Sequence, residues 1–260
     1  MLGENLKTYN RKLKETKKAN TVKGYQYTKK RYALHIKIAN KFLKEASAPE
    51  NGKKAIAVLV GGGTASGKTT LRKNIVEKRL KEMGIRTITV DPDEIKEYIL
   101  EYQLLKKKHP KDAARLVHKE SIDISEMVVK KLIRHRKHFV HEGTMAKTQK
   151  YKKLIKTLKK AEYDVYAYIV DIPVETARQR AAKRAKITGR TIPPHIIENT
   201  HRLVPNTVEA IKNMVDKYYV YDNQNGLVLI ASNNFVEPAL YDEFLKKRKQ
   251  GKKNFNKKTY

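Results

Sequence analysis

The sequence contains no cysteine. This absence excludes a disulfide framework, a thiol nucleophile and a zinc site built from cysteines, and it fits a reducing cytoplasm. Long hydrophobic runs are missing too: no stretch of about 18 apolar residues occurs, so we expect no membrane-spanning helix. Residues 1–7 lack the apolar core of a signal peptide. The 260 residues are 40% hydrophobic, which is enough for one ordinary domain with an appendage.

Acidic residues are scarce: 27 Asp and Glu stand against 58 Lys and Arg, for a formal net charge of +31. The excess is marked at both ends, because residues 1–54 carry 15 basic and 4 acidic side chains and residues 244–260 carry 8 basic and none acidic. Three explanations remain open: lysines on solvated helix faces, an acidic protein partner, or nucleic acid.

Two basic helices are predicted at the start of the chain. Apolar residues recur at helical intervals over residues 2–13 and again over residues 25–43. Residues 20–24 read as a turn between them, which makes a helical hairpin the expected arrangement. Residues 49–52, with a proline and a glycine, break the pattern before the first strand.

The middle of the chain alternates apolar runs with helical patterns, which is typical of a mainly parallel sheet. We predict strands at residues 55–60, 86–91, 138–141, 165–171 and 227–231. We predict helices at residues 68–83, 93–107, 112–136, 148–161, 174–187 and 194–215. Gly84 is expected to end the first of these helices. Asp112 is expected to cap the long third one, just after Pro110.

A complete phosphate-binding motif, GGTASGKT, follows the first predicted strand and precedes the first of these helices. Glycines let the backbone N–H groups of such a turn approach phosphate oxygens at a helix N-terminus. Lys68 is expected to reach the β- and γ-phosphates of ATP, and the Thr69 hydroxyl to bind Mg²⁺. The predicted nucleotide-binding residues of this loop are Gly62, Gly63, Thr64, Ala65, Ser66, Gly67, Lys68 and Thr69.

Carboxylates follow the next two predicted strands. Asp91 and Asp93 end the second strand, and because ligands lie outside the carboxyl ends of parallel strands, we expect both beside the phosphate loop. A carboxylate there can accept the proton of a substrate hydroxyl during phosphoryl transfer. Asp93 as a helix cap is the alternative. Glu142 and Thr144 follow the third strand, and their alternative is a purely structural turn.

The segment of residues 176–190 is rich in arginine. Arg180 and Arg184 lie four apart and therefore on one helix face, and Arg190 follows Gly189 on an expected turn. Arginines in such a lid clamp the transferring phosphoryl group of small kinases. Solvated surface arginines are the alternative.

The order and spacing of these segments resemble the zeta-toxin family of P-loop kinases over roughly residues 55–232. The segments that carry the resemblance are GGTASGKT, DPDEIK, SIDISEMVVKKL, HEGT, TGRTIPPHII and YVYDN. The resemblance implies an α/β fold: a P-loop NTPase-type three-layer sandwich with a mainly parallel sheet, here with an N-terminal helical appendage. It also implies transfer of a phosphoryl group from ATP, with Mg²⁺, to the 3′-hydroxyl of the amino sugar in UDP-N-acetylglucosamine, and an antitoxin that blocks the ATP site.

Several residues take roles from this resemblance. Thr70 joins the ATP site, Asp93 resembles the catalytic base, and Glu126 matches an acid that holds the sugar nucleotide. Glu142 and Thr144 match a substrate-binding turn. Arg190 matches the later lid arginine, and the earlier one is either Arg180 or Arg184. We divide the chain into a basic helical segment (residues 1–52), a P-loop kinase domain (53–243) and a basic tail (244–260) that is expected to be frayed from residue 246.

The resemblance assigns no role to the basic ends of the chain. They motivate two other hypotheses: a nucleic-acid end kinase or nucleic-acid-stimulated ATPase, and a non-catalytic protein that binds an acidic partner and uses ATP as a switch. The absence of an aromatic and basic RNA module weighs against sequence-specific reading of nucleic acid.

Overall fold

A six-stranded sheet forms the centre of the computed structural model, which describes residues 13–22, 26–189 and 191–249. The strands of this sheet are β3 (Ile56–Gly62), β4 (Ile88–Val90), β5 (Phe139–Glu142), β6 (Asp164–Asp171), β7 (Lys217–Asp222) and β8 (Val228–Ser232). They lie in the order β4-β5-β3-β6-β7-β8. All neighbours are parallel except β7 and β8, which are antiparallel.

Helices connect these strands. They are α1 (Thr16–Ala19), α2 (Lys29–Glu45), α3 (Lys68–Leu71), α4 (Glu77–Glu82), α5 (Pro92–Ile95), α6 (Leu100–Lys108), α7 (Pro110–Arg134), α8 (Thr148–Lys160), α9 (Val174–Thr188), α10 (Pro194–Ile211) and α11 (Pro238–Lys246). A π-helical segment, Arg72–Val76, joins α3 to α4, and 3₁₀ turns follow α5 and α11. No helix of the described residues combines the length and apolarity needed to cross a membrane.

The sheet is the middle of three layers. Alternate residues of β3 point to opposite faces: Leu59 packs into the larger core with α2, α7, α8, α10 and α11, and Val58 packs into a smaller core with α3 and α4. Because both faces are covered, β3 is buried along its whole length. The predicted α/β three-layer fold is confirmed.

All five predicted strands are present with small shifts at their ends. A sixth, β7, was not predicted, because its tyrosine-rich run follows the predicted helix with no glycine or proline to separate the two. Gly84 lies just beyond α4 with φ 69°, as predicted. The prediction for Asp112 was wrong: α7 begins at Pro110, and Asp112 lies in its first turn, paired with Arg115 at 2.7 Å.

The N-terminal region differs from the predicted helical hairpin. Residues 21–22 (β1, Thr21–Val22) and 26–27 (β2, Gln26–Tyr27) form a small antiparallel β-ladder at the predicted turn. The second predicted helix is present as α2, whereas residues 1–12 and 23–25 lie outside the described residues. Ile38 and Phe42 of α2 are buried in the larger core, so α2 packs as part of the domain that contains the central sheet.

The predicted tail begins inside a helix. Helix α11 runs to Lys246 and is followed by a 3₁₀ turn, Lys247–Lys249. Phe244 is 1% exposed and Lys247 is 9% exposed. The expectation of fraying from residue 246 is therefore corrected for residues 246–249, because the buried side chains anchor the turn. Residues 250–260 lie outside the described part of the chain.

A buried ionic cluster fastens α2 to α7. Glu120 of α7 is fully buried and accepts hydrogen bonds from Arg31 at 2.5 and 2.8 Å. His35 lies 2.7 Å from the same carboxylate, and Arg31 also pairs with Glu101 at 2.9 Å. Burial alone would raise the pKa of Glu120, but the hydrogen bonds from Arg31 and His35 lower it to about 2.

We expect Arg31→Met to destabilise the protein by about 3–5 kcal/mol, because it leaves the Glu120 carboxylate buried without its main counter-charge. Urea unfolding at neutral pH measures this effect. Arg115→Met is the matched control, since Arg115 pairs with Asp112 on the surface, where its side chain is 62% exposed; its cost is expected to stay below about 1 kcal/mol. Equal losses in the two variants would contradict the role given to the buried cluster.

Candidate active site

The phosphate loop connects β3 to α3. Gly67 stands just before α3 with φ 97°, and a Cβ there would lie 2.2 Å from the side-chain nitrogen of Asn223. A Cβ on Gly63 would lie 2.3 Å from the ring of His201. Both positions therefore require glycine, one for its left-handed backbone and both for the close approach of another element.

Side chains from elements later in the chain hold the backbone of the loop at Thr64 and Ser66. His201 of α10 contacts the carbonyl oxygen of Thr64 at 2.9 Å, and Thr200 accepts the Thr64 N–H at 3.0 Å. Asn223, just after β7, donates to the carbonyl oxygen of Ser66 at 3.0 Å. The loop conformation thus depends on residues more than 130 positions away in sequence.

Lys68 begins α3 and lies against the loop. Its Nζ donates to the carbonyl oxygens of Gly62 and Gly63 at 3.3 and 3.1 Å. Burial lowers the pKa of Lys68, and three nearby carboxylates, those of Glu142, Asp91 and Asp93, partly oppose this shift. The strand-end acids are therefore gathered around the loop lysine, as predicted from the parallel sheet.

A hydroxyl and the carboxylates form a donor set suited to Mg²⁺. Thr69 Oγ1 lies 3.3 Å from Glu142 Oε1, and burial, together with the charges of Glu142 and Asp93, raises the pKa of Asp91 to about 6. In nucleotide sites Mg²⁺ takes few protein ligands and keeps waters and phosphate oxygens, so these donors fit the ion. No preformed cluster of three or more metal-binding side chains occurs among the described residues.

Arg72 holds Glu142 in place. This arginine lies in the π-helical segment after α3, is 5% exposed and donates to Glu142 Oε2 at 3.0 Å. It also contacts Glu77 at 2.6 Å and Glu94 at 2.8 Å. Sequence reasoning missed Arg72, although its position four residues after Lys68 places it on the same helix face.

Asp93 lies in the first turn of α5, and its side chain is 42% exposed. Its Oδ1 accepts a hydrogen bond from the buried Lys96 at 2.5 Å. The helix cap is Asp91, which accepts the N–H of Asp93 at 2.8 Å. Asp91 therefore caps α5, and the Asp93 carboxylate does not.

The two candidate lid arginines have different surroundings. Arg180 donates to the carbonyl oxygens of Asn223 and Gln224 at 2.8 and 3.2 Å, beside Gly67. Burial is the main cause of the lowered pKa of Lys68, and the nearby charge of Arg184 adds a smaller lowering, below the opposing effects of the three carboxylates. Arg190 lies outside the described residues.

Two predicted substrate-binding residues, Glu126 and Thr144, lie on α7 and in the segment after β5. Glu126 is exposed on α7 and pairs with Lys150 at 2.7 Å. Thr144 is half-buried in the turn after β5. The described contacts do not bring Glu126 to the carboxylates around Lys68, so its role stays a prediction, as does that of Thr144.

Comparison with known proteins fixes the family. The family model named Zeta toxin matches residues 39–234, most of the chain. The chain belongs to the zeta toxin family. The match begins inside α2 and ends after β8, so it includes the loop, the strand-end acids and the arginine-rich residues 176–190 of this zeta-toxin family member.

Solved structures show the same fold. One, from a molecular and structural characterization of the PezAT chromosomal toxin-antitoxin system of Streptococcus pneumoniae, has a TM-score of 0.67 at 17% identity, over 85% of this chain and 88% of that chain. Another, a complex of AvrRxo1-ORF1 and ORF2 with ATP, has a TM-score of 0.71 at 17% identity, over 91% of this chain and 83% of that chain. No curated protein sequence matches this zeta-toxin homologue.

Asp91 gives a pH-dependent test of the crowded carboxylates. A folded-state pKa of about 6, above the ordinary value of 3.8, means that ionising Asp91 costs folding stability. The cost is nearly absent below about pH 4, grows between about pH 4 and pH 6, and levels off at about 2–3 kcal/mol by pH 7.

We therefore expect Asp91→Asn to stabilise the nucleotide-free zeta-toxin homologue by about 2 kcal/mol at pH 7 and by little at pH 4. Asparagine still caps α5, because its side-chain oxygen also accepts the hydrogen bond. Urea unfolding at both pH values measures the difference. Asp112→Asn is the surface control and should leave the free energy of unfolding unchanged at both pH values. If Asp91→Asn were less stable than the wild type at pH 7, the raised pKa of Asp91 would be refuted.

Proposed function

We propose that the protein is an ATP-dependent kinase that transfers the γ-phosphoryl group to a hydroxyl of a small molecule. The observation that carries this proposal is the gathering of Asp91, Asp93 and Glu142 around Lys68, at the glycine turn that begins α3. A cation and backbone amides for the phosphates, together with nearby carboxylates, provide what in-line phosphoryl transfer needs.

The roles follow from position. Asp93, half exposed and not used as a cap, accepts the proton of the attacking hydroxyl as its oxygen bonds to the γ-phosphorus. The bond from that phosphorus to the bridging oxygen breaks, and ADP leaves. Lys68 and Arg184 neutralise charge on the phosphates as this happens. Thr69 and Glu142 would hold Mg²⁺, which would supply charge neutralisation at the phosphate oxygens.

The acceptor we propose is the 3′-hydroxyl of the amino sugar of UDP-N-acetylglucosamine. Membership of the zeta toxin family supports it, and Glu126, Glu142 and Thr144 are the residues that we assign to the sugar nucleotide. We also propose an acidic antitoxin as partner, since the net charge of +31 favours acidic proteins and the similar structure from Streptococcus pneumoniae comes from a toxin-antitoxin system.

The decisive experiment incubates the purified protein with ATP, Mg²⁺ and UDP-N-acetylglucosamine and follows products by mass spectrometry. We expect ADP and a sugar nucleotide with one added phosphoryl group. Lys68→Met is the inactive reference, and UDP-glucose is the competing acceptor. ATP binding without a phosphorylated sugar nucleotide would reject this acceptor. Transfer to polynucleotide ends, with a steep loss at higher salt, would favour the nucleic-acid end kinase.

A further inference from the structure

Lys247 belongs to the segment that was predicted to be a frayed tail, but it is buried at the carboxyl end of β6. Its Nζ contacts the carboxylate of Asp171 and donates to the carbonyl oxygen of Ile172 at 2.8 Å. Asp171 is the last residue of β6 and is 6% exposed. The 3₁₀ turn that carries Lys247 packs against α10, which also carries His201.

Asp171 in turn faces His201. The distance from Asp171 Oδ1 to His201 Nδ1 is 3.9 Å, and the histidine is fully buried. On the other side of the ring, Nε2 lies 2.9 Å from the carbonyl oxygen of Thr64. Because a carbonyl only accepts, Nε2 must carry the hydrogen of this bond. The other ring nitrogen, Nδ1, lies toward Asp171 and has no hydrogen-bond partner among the described residues.

The carbonyl of Thr64 matters because of peptide geometry. In a trans peptide the C=O and the following N–H point in opposite directions, and the structure contains no cis peptide bond among the described residues. Holding the Thr64 carbonyl toward His201 therefore aims the N–H of Ala65 the other way. Asn223 does the same for Gly67 through the carbonyl of Ser66. These loop amides are the groups that bind phosphate.

We propose that Lys247 is a positioning residue for ATP, acting through Asp171 and His201 on the phosphate loop. Lys247 compensates the buried charge of Asp171. Without that compensation, the Asp171 carboxylate favours the tautomer of His201 that carries its hydrogen on Nδ1, and Nε2 then has no hydrogen to donate to the Thr64 carbonyl. The Ala65 amide then loses its fixed direction, so nucleotide binding weakens while the reacting groups stay in place. This inference rests on the proposed ATP site and not on the identity of the acceptor.

The test measures ATP binding by calorimetry with Mg²⁺ present. We expect Lys247→Met to weaken ATP affinity about tenfold. At saturating ATP, kcat should stay within about threefold of the wild type while the KM for ATP rises, a split that general loosening of the fold would not produce. Lys246→Met is the matched control, because Lys246 is the exposed neighbour, its side chain 65% exposed and paired with Asp242; it should bind ATP normally.

A double variant, Asp171→Asn with Lys247→Met, removes both buried charges and is expected to bind ATP within about threefold of the wild type. If Lys247→Met alone proves too unstable to purify, adding His201→Ala to the double variant should still cost about tenfold in ATP affinity. Wild-type affinity in Lys247→Met, or no further loss on adding His201→Ala, would overturn the inference. A wild-type protein that binds no ATP would instead reject the proposed function.

Discussion

Replacing Asp93 with asparagine is expected to leave ATP bound and to lower kcat by about 10²–10⁴-fold. General-base catalysis by a positioned side chain is worth about that factor, and the amide of asparagine has nearly the same shape but cannot take up a proton. The exposed carboxylate lies at the start of α5, among the acids gathered around Lys68. Rapid-quench measurement of ADP formation with the acceptor present gives the rate.

The interpretation of Asp93→Asn needs a stability control, because Asp93 also pairs with the buried Lys96 at 2.5 Å. Calorimetric ATP affinity and the unfolding midpoint should therefore be measured on the same preparation. Asp112→Asn makes the same chemical change on the surface of α7 and should keep full activity. If Asp93→Asn were as active as the wild type and as the Asp112→Asn control, Asp93 would not be the general base.

Arg184→Met is expected to lower kcat by about 10³-fold or more, since an arginine that neutralises the transferring phosphoryl group contributes about 10³–10⁵. The charge of Arg184 contributes to the lowered pKa of Lys68, so Arg184 lies near the lysine that we expect to contact the phosphates. Arg180 uses its guanidinium on the carbonyls of Asn223 and Gln224. We therefore propose Arg184 as the earlier lid arginine.

Arg180→Met is the comparison that tests this assignment. It should mainly weaken ATP binding, because Arg180 supports the segment whose Asn223 holds the loop carbonyl of Ser66, and its kcat should fall far less than that of Arg184→Met. Steady-state kinetics over a range of ATP concentrations separates the two effects. A larger loss of kcat in Arg180→Met would exchange the roles of the two arginines.

The candidate site was largely predictable because its chemistry lies in short contiguous segments. A strand, a glycine turn and a helix start place Lys68 and Thr69 by local geometry alone. The positions of Asp91 and Glu142 follow, since β5 lies beside β3 and β4 lies beside β5, and parallel strands of one sheet end at the same edge. The roles of Glu126, Thr144 and Arg190 remain predictions, because their assignment depends on a substrate and a lid segment beyond the described contacts.

The phosphate loop, the strand-end acids and the mainly parallel sheet are encoded by spacing within a few tens of residues, so the amino-acid pattern is enough to predict them. The contacts that hold the loop are visible only in the folded chain. His201 and Asn223 reach the loop from positions more than 130 residues downstream, Lys247 lies against Asp171 and Ile172, and no local pattern marks these three residues. Contacts between distant segments depend on how helices pack against the sheet, and a one-dimensional pattern does not contain that information.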